Sequence, residues 1–335
     1  MKIKYYLGPM SKNVVDAVLE YNNSNGITFG FIPSRRQVEF DGGYVNNWTN
    51  ESFSKYVKNK SPNTIIQRDH GGPGQGYEDD DGRISFKNDA KFFNLIHVDP
   101  WKKYSDLKLG IIETVEIIKF CLKINPNIEF EVGTEEAIRK FTIEELKILI
   151  GTLEKKLTQA EFNKIKYAVV QSGVGLDLGK MKNTGNYDPV RLGKMVKVVQ
   201  SYGILTKEHN GDYLLANEIQ KRFILGLDAI NIAPELGQIE TCAIIELLRD
   251  DVDIINELFE ICFDSRRWEK WVPKNYQPAS NKLELIKICG HYSFSDPRFT
   301  SLIEKYSNRA RISMSDISNN IQMKINAYLK TLKDN

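Results

Sequence analysis

The chain has 335 residues, 41% of them apolar and 27% charged, a globular composition with room for one large domain or two ordinary ones and far from the disordered class. Lysine plus arginine (46) nearly balances aspartate plus glutamate (44), so a net charge of +2 gives no general field to attract nucleic acid or a membrane surface, and an anionic ligand needs a local site. No apolar run reaches the ~18–20 residues that cross a bilayer, and the first residues lack the basic, apolar and small-residue regions of a signal peptide. Cys121, Cys242, Cys262 and Cys289 are scattered without CxxC spacing, which predicts reduced thiols in a soluble, cytoplasmic protein.

In chain order, a β-prone segment at 4–7 precedes Ser11, an N-cap for a helix marked by Val14, Val15, Val18 and Leu19. The apolar run 27–32, beginning at Ile27, predicts a strand covered on both faces. Phe53, Tyr56 and Val57 mark a short amphipathic helix, and strands three and four are expected at 64–67 and 95–98. A helix over 106–122 leads to strand five at 128–132. The next helix opens with a capping box at Thr142 and Glu145, stapled by Phe141 and Leu146. Strand six is expected at 167–171, and Asp188-Pro189 reads as an N-cap followed by the N1 proline. Strands seven and eight are expected at 204–206 and 229–232, with a helix over 237–248.

Eight strand–helix units spaced by roughly 25–40 residues suit one closed parallel barrel. A doubly wound open sheet is the competing arrangement, but its glycine-rich first turn is not what Leu7-Gly8-Pro9-Met10 supplies. The expected fold is therefore α/β, a (β/α)8 TIM barrel over residues 1–250. The helical, aromatic-rich remainder, 251–335 with Trp268, Trp271 and Tyr276, is expected to pack on it as a C-terminal extension.

Polar residues gather after the expected strands, at what would be one mouth of the barrel. They are Ser34-Arg35-Arg36-Gln37, Arg68-Asp69-His70-Gly71-Gly72, His97-Val98-Asp99, Glu131 to Glu135, Gln171-Ser172-Gly173 and Glu208-His209-Asn210-Gly211-Asp212. Three of the four histidines fall there. Individually these residues have plainer readings: His97 can be satisfied by a neighbouring carboxylate, and Gly71, Gly72, Gly74 and Gly76 permit either a close ligand or merely a tight loop. Glu78-Asp79-Asp80-Asp81 lacks the alternation of a calcium loop and reads as solvated, and His291, beyond the barrel, reads as structural. Collectively, imidazoles and carboxylates around one cavity are a ligand set for zinc or another divalent metal, which can polarise a ketone oxygen while a carboxylate moves the proton.

From Asp69-His70-Gly71-Gly72-Pro73 onward the sequence resembles the accessory, or non-catalytic, subunits of class II tagatose-bisphosphate aldolases. Further blocks keep that family's order: Ser34 to Val38, Gly42-Gly43-Tyr44, Ile96 to Asp99, Gly133-Thr134-Glu135, Val169 to Val174, Glu208 to Tyr213 and Tyr292 to Asp296. The resemblance implies a TIM barrel related to zinc-dependent ketose-bisphosphate aldolases. It casts Asp69 as general acid/base and His70 and His209 as metal ligands. It also places a phosphate site at Glu208 to Tyr213 with Asn231, and gives Gln37, Gln171 and Asn210 to substrate hydroxyls.

Two departures stand out. Where catalytic relatives carry a further histidine ligand this chain has Gln171-Ser172-Gly173, leaving the metal set to be completed by His97 or Glu131. The stretch 77–94 after strand three also looks foreign to the family, and Arg35 and Arg36 can serve either a substrate phosphate or a surface ion-pair cluster.

The expectation is thus an aldolase-type lyase of a phosphorylated sugar. Asp69, Glu131 and Asp99 are the candidate catalytic carboxylates, His70, His209 and His97 the metal ligands, and Ser34, Arg35, Gln37, Gln171, Asn210, Asp212 and Asn231 the substrate contacts. The alternatives are a silent barrel that stabilises or activates a partner aldolase subunit, and a metal-dependent isomerase or epimerase. Self-association into a homo-oligomer is also compatible with the sequence.

Overall fold

A computed structural model describes residues 3–26 and 28–333. Eight parallel strands follow one another around a barrel: β1 (Tyr5–Leu7), β2 (Phe29–Phe31), β3 (Gln67–Gly71), β4 (Leu95–Val98), β5 (Glu129–Val132), β6 (Ile165–Val169), β7 (Leu205–Glu208) and β8 (Ala229–Ile232). β1 pairs with both β2 and β8, and a parallel bridge between Phe31 and Ile66 joins β2 to β3 and closes the ring. Ile27, expected to open β2, lies outside the described residues.

Strand alternation divides the core. Phe29, Phe31, Ile96, Val98, Phe130, Val132, Ile230 and Ile232 point outward into the layer shared with the helices. Ile3, Tyr6, Ile32, Leu95, Tyr167 and Ala229 fill one end of the barrel interior. Burying each such large side chain contributes ~1.5–3 kcal/mol. Above that apolar plug the interior turns polar, with Gln67, His97, Glu131 and Lys207 all fully buried. This polar layer is the floor on which the site stands.

Most local signals act as their chemistry dictates. Ser11, Asp106, Thr142 and Asp188 each accept a bond from a backbone amide of the first helical turn, and Thr142 and Glu145 form the reciprocal capping box. Two expectations need correction. β3 starts three residues later than the apolar run 64–67 suggests, so Asp69 and His70 are strand residues rather than loop residues. The foreign-looking stretch 77–94 contains the ordinary helix after β3, Arg83–Phe92, anchored by buried Phe86 and Ala90.

Beyond Leu248 the chain is helical. Its last helix, Met314–Lys333, buries Ile317, Ile321, Ile325, Leu329 and Leu332 on one stripe against helices Lys12–Asn25 and Pro234–Leu248. The turns Glu269–Trp271 and Gly290–Tyr292 lie at the barrel mouth, where Lys270 and Tyr292 meet Ser34 and His70 around one cavity. No helix among the described residues is long and apolar enough to cross a membrane.

Candidate metal centre

His70 of β3, His97 of β4 and His209, the residue that follows β7, converge with ring centroids 5.1, 5.1 and 4.9 Å apart. With Asp69 they offer four ligand atoms all within 4.8 Å of one another. His97 occupies an inward position of β4, directly opposite Glu131 of β5. His209 follows Lys207 by two residues, so both side chains turn inward at the end of β7 while Glu208 turns outward to Arg222 (2.8 Å).

Adjacent strand residues should face opposite sides, yet Asp69 and His70 both join the cluster. A β-bulge resolves this: between Arg68 and Gly71 β3 holds one residue more than β4 does between Ile96 and Val98. His70 absorbs the kink with φ 45°, a left-handed conformation that a side-chain-bearing residue holds only where its surroundings enforce it. Gly72 is required one step later, because a Cβ there would stand 2.0 Å from the Asp99 carbonyl oxygen. Gly72 thus serves chain packing rather than ligand approach.

Each imidazole has one nitrogen tied down from outside. His70 Nδ1 bonds Asp99 Oδ2 (2.6 Å), His97 Nε2 bonds the Gly133 carbonyl (3.0 Å) and His209 Nε2 bonds Glu131 Oε1 (2.6 Å). Because these partners accept, the tied nitrogens carry the protons. That leaves His70 Nε2, His97 Nδ1 and His209 Nδ1 turned toward the Asp69 carboxylate, at 3.8, 4.0 and 3.8 Å. This is the outer-shell pattern that orients histidine ligands. A tetrahedral ion with bonds of ~2.0–2.1 Å needs ligand atoms ~3.4 Å apart, so the set fits zinc after a modest contraction. One competitor is present: the His70 amide donates to His97 Nδ1 at 3.2 Å.

The charges are graded with depth. Burial alone would raise the Glu131 carboxyl, but Lys207, His97 and His209 outweigh it and hold it well below the usual carboxylate range. Asp99 is likewise lowered against its burial, by His70, His97 and the Thr134 hydroxyl (3.0 Å). Burial would lower the His70 imidazole, but Asp69, Asp99 and Glu135 hold it well above its ordinary value, so a metal must displace a proton there. Asn231 Nδ2 reaches Asp69 Oδ1 at 3.4 Å, while its own Oδ1 is buried without a partner.

The remaining expected residues divide sharply. Asp99 and Glu131 lie behind the histidines, as their anchors. Gln171 makes four hydrogen bonds, accepting from Phe141 N and Arg191 Nη2 and donating to the Thr134 and Arg139 carbonyls. It has nothing left for a substrate. Gln37 is spent on Ser34 N (2.8 Å) and Met10 Sδ (3.0 Å), and Asn210 donates one bond to Glu135.

Asp212 accepts from the Ala233 and Glu235 amides at the start of helix Pro234–Leu248, a capping role. Burial and Glu235 push its pKa up to about 8. Arg35 is 4% exposed and closed by Glu39, Asp80 and the Gly72 carbonyl. It is therefore a buried ion pair that fixes the loop after β3, and Asp80 is not merely solvated. The segment Glu208 to Tyr213 supplies no lysine or arginine for the expected phosphate site. Ser34 does line the cavity. His291 stands apart from the trio, with burial and Lys270 bringing its pKa down to about 3.

Above the trio opens a cavity of about 580 Å³ lined by His70, Ser34, Gln75 and Glu135 together with Arg36, Lys102, Arg267 and Lys270. The last two come from the C-terminal extension, and sequence reasoning missed them. The one local signal was the basic pair Arg266-Arg267 beside Trp268-Glu269-Lys270.

No protein-family model and no curated protein matches the sequence. Among solved structures, the chain is similar to a probable tagatose 6-phosphate kinase from Sinorhizobium meliloti 1021, with 16% identity over 99% of both chains and a TM-score of 0.76. It also matches the YdjI aldolase of Escherichia coli K12, with 13% identity over 93% of this chain and 94% of that one and a TM-score of 0.55. A fructuronate-tagaturonate epimerase from Cohnella laeviribosi matches with 9% identity over 99% of this chain and 81% of that one, TM-score 0.58. At such identities the likeness is one of fold, and at that level it fits the aldolase-subunit resemblance drawn from the motifs.

Proposed function

We propose that the protein is a metal-dependent, aldolase-type carbon–carbon lyase acting on a phosphorylated sugar in the cytoplasm. The observation that carries this reading is the set of three imidazoles, each tied at one nitrogen and turning the other toward a shared carboxylate, with only the His70 amide competing at His97. His70, His97 and His209 would hold zinc or another divalent metal, which when bound supplies Lewis acidity toward a carbonyl oxygen.

Asp69 is the group positioned to move protons. Its carboxylate faces all three rings, is 14% exposed and receives Asn231 at 3.4 Å. It can take a proton from a substrate hydroxyl as the carbon–carbon bond breaks and return one to the carbon that is released. Asp99, Glu131 and the Gly133 carbonyl hold the rings in place, and Thr134 steadies Asp99. The names of two neighbours, an aldolase and an epimerase, are consistent with carbonyl-adjacent proton transfer on sugars, and the unpaired cysteines suit a reducing compartment.

The test is metal analysis of the purified protein joined to an Asp69→Ala variant. Stoichiometric zinc removed by chelation, with cleavage of a ketose phosphate abolished in the variant, supports the lyase. Conversion of the ketose phosphate without release of a smaller aldehyde supports an epimerase at the same centre. Absence of metal and turnover, with a rise in a partner aldolase's activity on mixing, overturns the catalytic reading in favour of an accessory subunit.

A further inference from the structure

We propose that the outer mouth is a phosphoryl-binding subsite built jointly by barrel loops and the C-terminal extension, in which Arg36, Lys102, Arg267 and Lys270 grip the anionic end of the substrate. It deepens the reading above, on which it rests for the identity of the molecule that carries the phosphoryl group.

The four cations line one cavity with His70, and among the described residues none of them has a carboxylate partner. Arg36 donates only to the Gly76 carbonyl (3.1 Å) and lies over the Tyr77 ring, which Arg267 also covers at 4.7 Å. Lys102 is bonded to the Gly74 carbonyl. Lys270 sits over the Trp271 and Tyr292 rings at 4.5 and 5.7 Å. The cavity's two acids have other partners: Glu269 pairs with Arg266, a fifth lining cation, at 2.8 Å, and Glu135 accepts from Asn210.

Like charges gathered without a direct ion pair repel one another. Their mutual effect is visible at Lys270, whose pKa burial, Arg36 and Arg267 bring down to about 8, and at Lys102, lowered by burial and Arg36. A protein retains such an arrangement at a cost to stability, and a bound anion relieves it. Four cations exceed what a single carboxylate neutralises and suit a phosphate dianion, for which guanidinium groups offer paired donors. A cavity of about 580 Å³ lies within the range of small-ligand sites, ~300–1,000 Å³. Such a ligand can reach His70, which lines the same cavity, with its other end.

The location departs from the segment after β7 where the family resemblance puts phosphate, and it gives the extension a purpose beyond packing. Arg267 and Lys270 select substrates by their anionic end, while the trio acts on the carbonyl end.

The probe is inorganic phosphate, titrated calorimetrically into the full chain before and after chelation of metals, with acetate as the comparison. Saturable phosphate binding that survives chelation is expected. It should weaken by about tenfold or more in an Arg267→Gln/Lys270→Gln variant, with zinc content and circular dichroism unchanged. Unaltered phosphate affinity in that variant, or acetate binding as tightly as phosphate, overturns the proposal. Should the double variant fail to fold, Lys102→Gln on the barrel side gives the same reading, and unaltered affinity there overturns it equally. Wild-type protein that binds phosphate but no zinc would sink the metal reading and leave this one standing. Zinc binding with phosphate affinity indifferent to the substitutions would do the reverse.

Discussion

Lys207 and Glu131 meet inside the barrel with Nζ and Oε2 3.0 Å apart, both side chains fully withdrawn from water. Gln67 bonds both of them, and the Lys207 ammonium also lies 3.6 Å from the centre of the Tyr6 ring. The far oxygen of Glu131 holds His209, so a lysine that never reaches the cavity fixes the tautomer of a candidate ligand through one intermediary. Removing one partner of a buried pair strands the other charge, which typically costs ~3–5 kcal/mol. Lys207→Met should lose about that much in urea unfolding. The double variant Lys207→Met/Glu131→Gln should lose clearly less than the two single losses added, because no lone charge is left inside. Strict additivity would contradict the coupling.

Asp99 tests the outer shell. It touches His70 Nδ1 at 2.6 Å and does not line the mouth cavity. Replacing such a partner typically weakens metal affinity by ~10–100-fold. Asp99→Ala should therefore lower zinc affinity by about that factor in competition with a chromophoric chelator, while inorganic phosphate binding at the mouth is untouched. Zinc affinity equal to wild type would remove Asp99 from its supporting role.

Glu240 gives a pH dependence remote from the metal ligands. Its carboxyl is buried in helix Pro234–Leu248, where burial, opposed by the Ser11 and Asn13 donors, pushes its pKa up to about 7 from 4.5. A folded-state value above the unfolded one means that the protonated form is favoured by folding. The associated stability is complete below pH ~4.5 and is lost as the pH rises through about 7. At ~1.4 kcal/mol per pH unit of difference, Glu240→Gln should be more stable than wild type by up to about 3 kcal/mol at pH 8, with no gain at pH 4. A gain of equal size at both values would mean that something other than ionisation is responsible.

What the sequence discloses and what it hides follow one physical division. β4 and β8 are legible to the residue because their runs are apolar enough to announce burial. β3 is placed three residues early because Arg68, Asp69 and His70 look like loop, although Arg68 is fully buried against Asp89 (2.7 Å). Periodicity reads polarity as exposure, and a polar barrel interior reverses that rule. The histidine cluster is legible because every strand of a parallel barrel points the same way, so residues at its carboxyl ends must converge. The basic mouth is not, since nothing local tells that Arg267 and Lys270, from a segment beyond the eighth strand, fold back over the same opening as Arg36. The Arg35-Arg36 pair is split by its partners alone, one sealed by Glu39 and Asp80 and the other left facing the cavity.

Gln171 separates a binding role from a structural one most cleanly. Its amide ties the end of β6 to the loop after β5 through the Thr134 and Arg139 carbonyls, and to helix Pro189–Gln200 through Arg191. Truncation would orphan the buried Phe141 amide and the carbonyls that now receive the side chain. Each buried group left unsatisfied costs ~1–3 kcal/mol, and water can enter to satisfy some of them. Gln171→Ala should therefore lower unfolding free energy by about 2–4 kcal/mol, with zinc and phosphate affinities close to wild type under conditions where the variant remains folded. A residue that bound substrate hydroxyls would show the opposite split, with little loss of stability and a raised KM. That result would return Gln171 to the substrate site.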